Sequence, residues 1–197
     1  SETARVLSAL ADALTVRALE LVAPSFELPA TGLVWTAVGA QARRELTPAS
    51  SPSAAIAYSD AAPPAGWSEA VTGLLARCGV NVAVESRATA DWMNAGEDEL
   101  ALGMLVERRA LWGTPRDPLP IAQGAGRDAL VETLRRRALA YSPPTGFDAE
   151  SVLERDGTRL DRLDIRRAAV IPIVELGRWA GAAAGLVEGS TTEKLHA

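Results

Sequence analysis

The side chains able to do chemistry are few in kind. His196 is the only histidine and sits one residue from the end, and Cys78 is the only cysteine. A histidine-built zinc site or a Ser-His-Asp triad has no basis here, and no disulfide can form within the chain. Any catalysis must rest on carboxylates, arginines, hydroxyls or the thiol. Such groups concentrate in GAQARRELTPASSPSAAI, residues 39–56, and again in VERRALWG, residues 106–113. In the first stretch Gly39 closes an apolar run, and Arg43 and Arg44 follow it. A glycine at a strand end lets backbone amides approach a phosphate closely, and arginine forks grip phosphate oxygens. The plainer alternative makes Arg43 and Arg44 solvated helix residues near Glu45. Cys78 precedes Gly79 in an apolar context with nothing to lower its pKa, so a buried structural thiol is expected.

These residues need elements to position them. Leu7, Leu10, Leu14, Leu21 and neighbouring Ala and Val recur at helical spacing, which predicts an amphipathic helix over 3–22. Pro24 and Pro29 end it. GLVWTAVGA (32–40) reads as a buried strand closing in a glycine turn, AAIAY (54–58) as a paired strand, and VNVAV (80–84) as a third. Between them SDAAPPAGW is a loop, and Trp67 to Cys78 has helical spacing with Gly79 at its C-cap. ATADWMNAG reads as a turn into a helix, and residues 99–112 suit either a helix or a strand. GTPRDPLP (113–120) is a breaker-rich boundary, followed by helices over 127–141 and 168–187. The five tryptophans are spread widely, as core or interface anchors would be. The expected class is therefore α/β plus α: a mixed sheet with flanking helices, followed by a helical-bundle domain. The expected divisions are an N-terminal helix (1–24), an α/β domain (25–120) and a helical domain (121–197).

Bulk properties set outer limits. The chain has 197 residues, is 48% hydrophobic and carries net charge −5, enough to build a core and unsuited to a broad nucleic-acid face. No apolar run reaches the roughly 18 residues of a membrane span, and no signal peptide is evident. A cytoplasmic location is expected. Both ends read as cut, with a helix starting at TTEKLHA, so further domains of a longer protein are expected before residue 1.

The stretch 39–56 resembles the nucleotidyltransferases of the DNA-polymerase-β superfamily. It is most similar to the bacterial signalling branch related to PII-protein uridylyltransferases, which accompanies CBS or cyclic-nucleotide-binding domains. That branch has approximately G-S-x-x-R-R-E-x-T-x-x-S-D-x-D-x-A, and Gly39, Arg43, Arg44, Glu45, Thr47, Ser50 and Ala55 fall in matching positions. The family's Ser is Ala40 here, and its two metal-binding Asp are Ser51 and Ser53. A later Asp-x-Arg-x-x-x-Gly pattern matches Glu107, Arg109 and Gly113, which would make Glu107 the third carboxylate; otherwise it is a solvent-facing Glu beside Arg108 and Arg109 in a helix. SPPTGF (142–147), residues 156–181 and STTEKL (190–195) resemble the family's helical C-terminal domain.

The resemblance implies a two-Mg²⁺ nucleotidyl transfer in which paired carboxylates hold the ions. It implies nucleotide contacts from Gly39, Ala40, Arg43, Arg44 and Ser50, and a cleft role for Asp164 and Arg166. Neutral hydroxyls are poor ligands for a hard dication, so Ser51 and Ser53 imply lost catalysis with a nucleotide-binding or regulatory role kept. Two alternatives stay open. One is an active Mg²⁺ enzyme using ATP or UTP on a PII-like protein or a small molecule, with Glu107 joined by Asp60 or Glu85. The other is a non-nucleotide interaction or dimerisation module.

Overall fold

The apolar runs of the first half pair into one four-stranded sheet. Its strands are β1 (Leu33–Val38), β2 (Ser53–Tyr58), β3 (Ala83–Ala88) and β4 (Arg108–Thr114), in the order β3-β2-β1-β4. β1 runs antiparallel to β2 and to β4, while β2 and β3 are parallel, so the sheet is mixed as expected. All six residues of β1 are buried, which is why LVWTAV reads as continuous apolar sequence rather than as alternation. A parallel pair needs a crossover, and α3 (Trp67–Arg77) supplies it between β2 and β3. The computed structural model describes residues 1–93, 98–116, 125–141 and 165–197. They fall into two units, Ser1–Ala122 with Val187–Ser190, and Gln123–Leu186 with Thr191–Ala197.

Each sheet face has its own core. On one face Leu33, Trp35, Ala54 and Ile56 pack with Ala18 and Leu19 of α1 (Glu2–Val22) and with Trp67, Val71 and Leu75 of α3. Trp35 and Trp67 meet edge to face, 5.9 Å between ring centroids at 87°, the geometry the ring quadrupole favours. On the other face Val38, Ala55 and Ala57 pack with Trp92 of α4 (Thr89–Met93) and with Ala101 and Met104 of α5 (Glu99–Val106). The Trp92 indole donates to the Ile56 carbonyl at 3.1 Å.

Three expectations are corrected. The face of α1 that packs is Ser8, Ala11, Thr15, Ala18 and Leu19, while Leu10, Leu14 and Leu21 are exposed. Small residues let α1 lie close to its neighbours, so the leucine spacing marks the wrong face. The third strand is Ala83–Ala88, not 80–84, because the Val80 amide closes the end of α3 on the Leu75 carbonyl. Cys78 is exposed. It follows the last helical residue of α3, so the apolar period that buries Val71 and Leu75 does not govern it. The ambiguous 99–112 segment divides into α5 and β4 with Glu107 at the joint.

The second unit contains α6 (Ala125–Ala140), a π-helical turn (Arg166–Val170), α7 (Ile171–Ala184) and α8 (Thr191–Leu195). α8 lies tight on α7 because Gly177 and Gly181 carry no side chain. An ideal Cβ at these positions would fall 2.8 Å from Thr191 Cγ2 and 2.8 Å from Lys194 Cδ. The buried Glu175 carboxylate joins Arg178 of its own helix at 2.7 Å and Arg137 of α6 at 3.3 Å. The PIVELGR motif therefore builds the packing of this unit. Among the described residues no helix is long and apolar enough to cross a membrane.

Candidate functional site

The strand register brings the motif residues to one end of the sheet. Val38, the last residue of β1, pairs with Ser53 on β2 and with Arg108 on β4. Gly39, Ser53 and Glu107 thus occupy neighbouring positions at that end, although they are spread over 69 positions of sequence numbering. Ser51 is exposed two residues before Ser53. The loop that leads to it is held by a turn in which Ser50 Oγ accepts from the Thr47 amide at 2.9 Å.

Gly39 adopts φ +60°, and nothing lies within 4 Å of where a Cβ would stand. The residue is required by its backbone angle, and the space beside it is open. It begins α2 (Gly39–Ala42), a single turn that ends with Arg43 and Arg44 facing different surroundings. Arg44 has φ +61° and is the only non-glycine residue with positive φ among those described. A left-handed residue with a side chain costs about 1–2 kcal/mol. Arg44 is exposed, and no described carboxylate pairs with it.

Arg43 turns inward instead. Its Nη1 lies 2.5 Å from Oε2 of Glu107, and its Nε lies 2.8 Å from Oε2 of Glu45. The Glu107 side chain is 0% exposed and that of Arg43 is 7% exposed. Glu107 is therefore a buried carboxylate at the end of α5, and the solvent-facing alternative is overturned. Its helical neighbours place it there: α5 stops at Val106, and the Glu107 amide donates to the Gly103 carbonyl at 2.7 Å.

A second polar group supports the same loop. Arg109, which pairs with Ala37 on the opposite sheet face, reaches Asp12 of α1 at 2.8 Å and donates to the Gln41 carbonyl at 3.0 Å. Gln41 Nε2 donates to the same Asp12 carboxylate at 3.0 Å, and the Leu46 amide donates to Ser8 Oγ at 3.3 Å. Helix α1 thus fixes both ends of the 39–46 segment. Sequence reasoning passes over Asp12 and Ser8. Their signal is present, however: two polar residues among the alanines of one helical face.

The remaining candidates lie elsewhere. Asp60 pairs with Arg116 at 2.6 Å beyond the far end of β2, on the order of 20 Å from Ser53 at strand rise. Glu85 pairs on β3 with Ala55 and is bound by Arg87. Arg87 also binds Asp98, which caps α5 by accepting from Leu100 N at 3.0 Å, and stacks 4.6 Å over the Trp92 ring. The Arg87 guanidinium, assisted by the two capping amides, holds the Asp98 carboxyl below the usual range against an opposing effect of burial. Arg166 is exposed on the π-helical turn of the second unit, and Asp164 lies outside the described residues. Among the described residues, no group of three or more His, Cys, Asp or Glu side chains is placed to hold a metal ion.

A four-stranded mixed sheet with helices on both faces, and a glycine turn leaving its central strand, is a nucleotidyltransferase-like architecture. Comparison with protein families agrees. Residues 1–93 match the family described as "Putative nucleotidyltransferase DUF294", and residues 128–197 match "Putative nucleotidyltransferase substrate binding domain". Together the matches cover most of the chain, which is thus similar to a nucleotidyltransferase-type domain followed by a substrate-binding-type domain. No curated protein and no solved structure matches the chain.

Proposed function

We propose that this is a catalytically degenerate nucleotidyltransferase domain that has kept a nucleotide-binding, regulatory role in a signalling protein. The observation behind the reading is the charge balance at the end of the sheet. Two Mg²⁺ ions need several carboxylates directed at one point. Here the positions that match the family's aspartates are the neutral Ser51 and Ser53. The remaining carboxylate, Glu107, is buried against the Arg43 guanidinium at 2.5 Å. An internal cation offsets the charge that a metal would otherwise offset, so the donor set does not fit Mg²⁺, and no transfer step is drawn through one. Phosphate recognition then falls to the Gly39 turn and to Arg44, which is exposed and has no ion-pair partner among the described residues. Arg43 serves Glu107 and Glu45 and positions the turn. The resemblance points to ATP or UTP as ligand and to a PII-like protein as partner.

Isothermal titration with ATP and UTP, each with and without Mg²⁺, tests this. The expected result is binding that does not depend on the metal and that Arg44→Ala weakens. Tight binding only with Mg²⁺, accompanied by pyrophosphate release, overturns the reading in favour of an active enzyme. No binding under either condition overturns it in favour of a plain interaction module.

A further inference from the structure

A cavity lies on the sheet face that carries Val34, Thr36 and Ala57, and extends toward the end of the sheet remote from Gly39. Its volume is about 190 Å³. Ser59, Thr89, Arg108 and Glu188 complete its polar lining, and all belong to the first unit. Thr36 is the informative residue. It is 1% exposed, lies on the central strand, and lines the cavity. The other five residues of β1 are apolar, so Thr36 is the one hydroxyl that this strand brings to the cavity. The Ser59 hydroxyl lines the same cavity, whereas Thr89 Oγ1 is spent on the Tyr58 carbonyl at 3.2 Å.

The rim adds opposite charges side by side. The Arg108 guanidinium is anchored through Nη1 on the Met104 and Leu105 carbonyls at 3.0 and 3.2 Å. Burial works against its charge and the nearby Glu188 carboxylate favours it. The cavity therefore offers a fixed cation and an exposed carboxylate above an uncharged floor that mixes methyl groups and hydroxyls. A ligand matching this has an anionic and a cationic group on adjacent atoms and a short, uncharged body with hydrogen-bonding capacity.

We propose that this cavity binds a compact zwitterion of the free α-amino-acid class, its carboxylate toward Arg108, its ammonium toward Glu188, and its side chain over Val34 and Ala57 within reach of Thr36 and Ser59. At about 190 Å³ the space excludes a nucleotide, which needs a pocket in the usual range of about 300–1,000 Å³. The site therefore differs from the one proposed at Gly39, and either can fail without the other.

The test is a titration of the whole chain with each of the twenty free amino acids, followed by calorimetry and by amide chemical-shift mapping. ATP and UTP are titrated in parallel. The expected result is saturable binding of at least one small, uncharged-side-chain amino acid, with shifts at Thr36, Ser59 and Ala110 and no competition from nucleotide. Thr36→Val, which keeps the volume, and Glu188→Gln, on an exposed residue, each weaken it about tenfold. Should the strand variant unfold, Glu188→Gln alone decides. The proposal is overturned if no amino acid binds, if the shifts fall outside this face, or if the folded variants bind as the parent does.

Discussion

The guanidinium of Arg43 and the carboxylate of Glu107, 64 residues apart in the chain, meet at 2.5 Å in a place that water barely reaches. Breaking a buried pair by removing one partner strands the other charge and costs about 3–5 kcal/mol, while replacing both with apolar groups costs far less. Arg43→Met and Glu107→Leu should each lower stability by that amount, and the double variant should lose much less than the sum. Urea denaturation of the four proteins in a double-mutant cycle measures this. Additive losses would show that the two groups act independently.

Placing carboxylates back at the start of β2 should reverse the charge argument. Ser51→Asp with Ser53→Asp adds two anions near Glu107, and the double variant should bind Mg²⁺ more tightly than the parent in a direct calorimetric titration. If the affinity does not rise, these two positions do not form the metal site that the resemblance implies.

The Asp98 carboxyl is held below its usual range, first by Arg87 and then by the capping amides. A carboxyl whose pKa is depressed on folding adds stability above its unfolded pKa of about 3.9, and that contribution is lost as pH falls through the depressed folded value. Asp98→Asn keeps a helix cap but removes the charge. The stability gap between parent and variant should be constant near neutrality and close below about pH 4. Thermal melts across pH 2–7 read the gap, and one that stays open in acid would contradict the assignment.

Gly113 on β4 has φ +87°, and an ideal Cβ would stand 2.1 Å from the Leu33 carbonyl oxygen. That atom belongs to the central strand and cannot yield cheaply. Gly113→Ala should destabilise by about 1–3 kcal/mol from overpacking alone, with backbone strain added. Chemical denaturation checks it, and a neutral substitution would mean that β4 shifts freely along β1.

Much of this is legible in the sequence alone, and what is not has physical causes. β1 was readable because a central strand buried on both faces is apolar throughout, and Gly39 because a turn needs its positive φ. The Glu107-x-Arg109-x-x-x-Gly113 spacing held meaning that local propensity did not. Each of its members answers to a partner far along the chain: Arg43, Asp12 and the Leu33 carbonyl. The packed face of α1 was misread because close helix approach rewards alanine and serine, which hydrophobic spacing ignores. Arg43 and Arg44 looked equivalent. Only tertiary charge separates them, since one faces Glu107 and the other is turned outward by a left-handed backbone.

The Asp12–Arg109 link also orders events in time. Helix α1 is synthesised before β4, and the arginine that engages its aspartate follows 97 residues later. At synthesis rates of about 5–20 residues per second, roughly 5–20 s separate the two. Through that interval Asp12 lacks its arginine, while Gln41, the other side chain that reaches it, follows by only 29 residues. The Asp12–Gln41 bond can therefore form earlier in synthesis than the Asp12–Arg109 pair, which waits for β4.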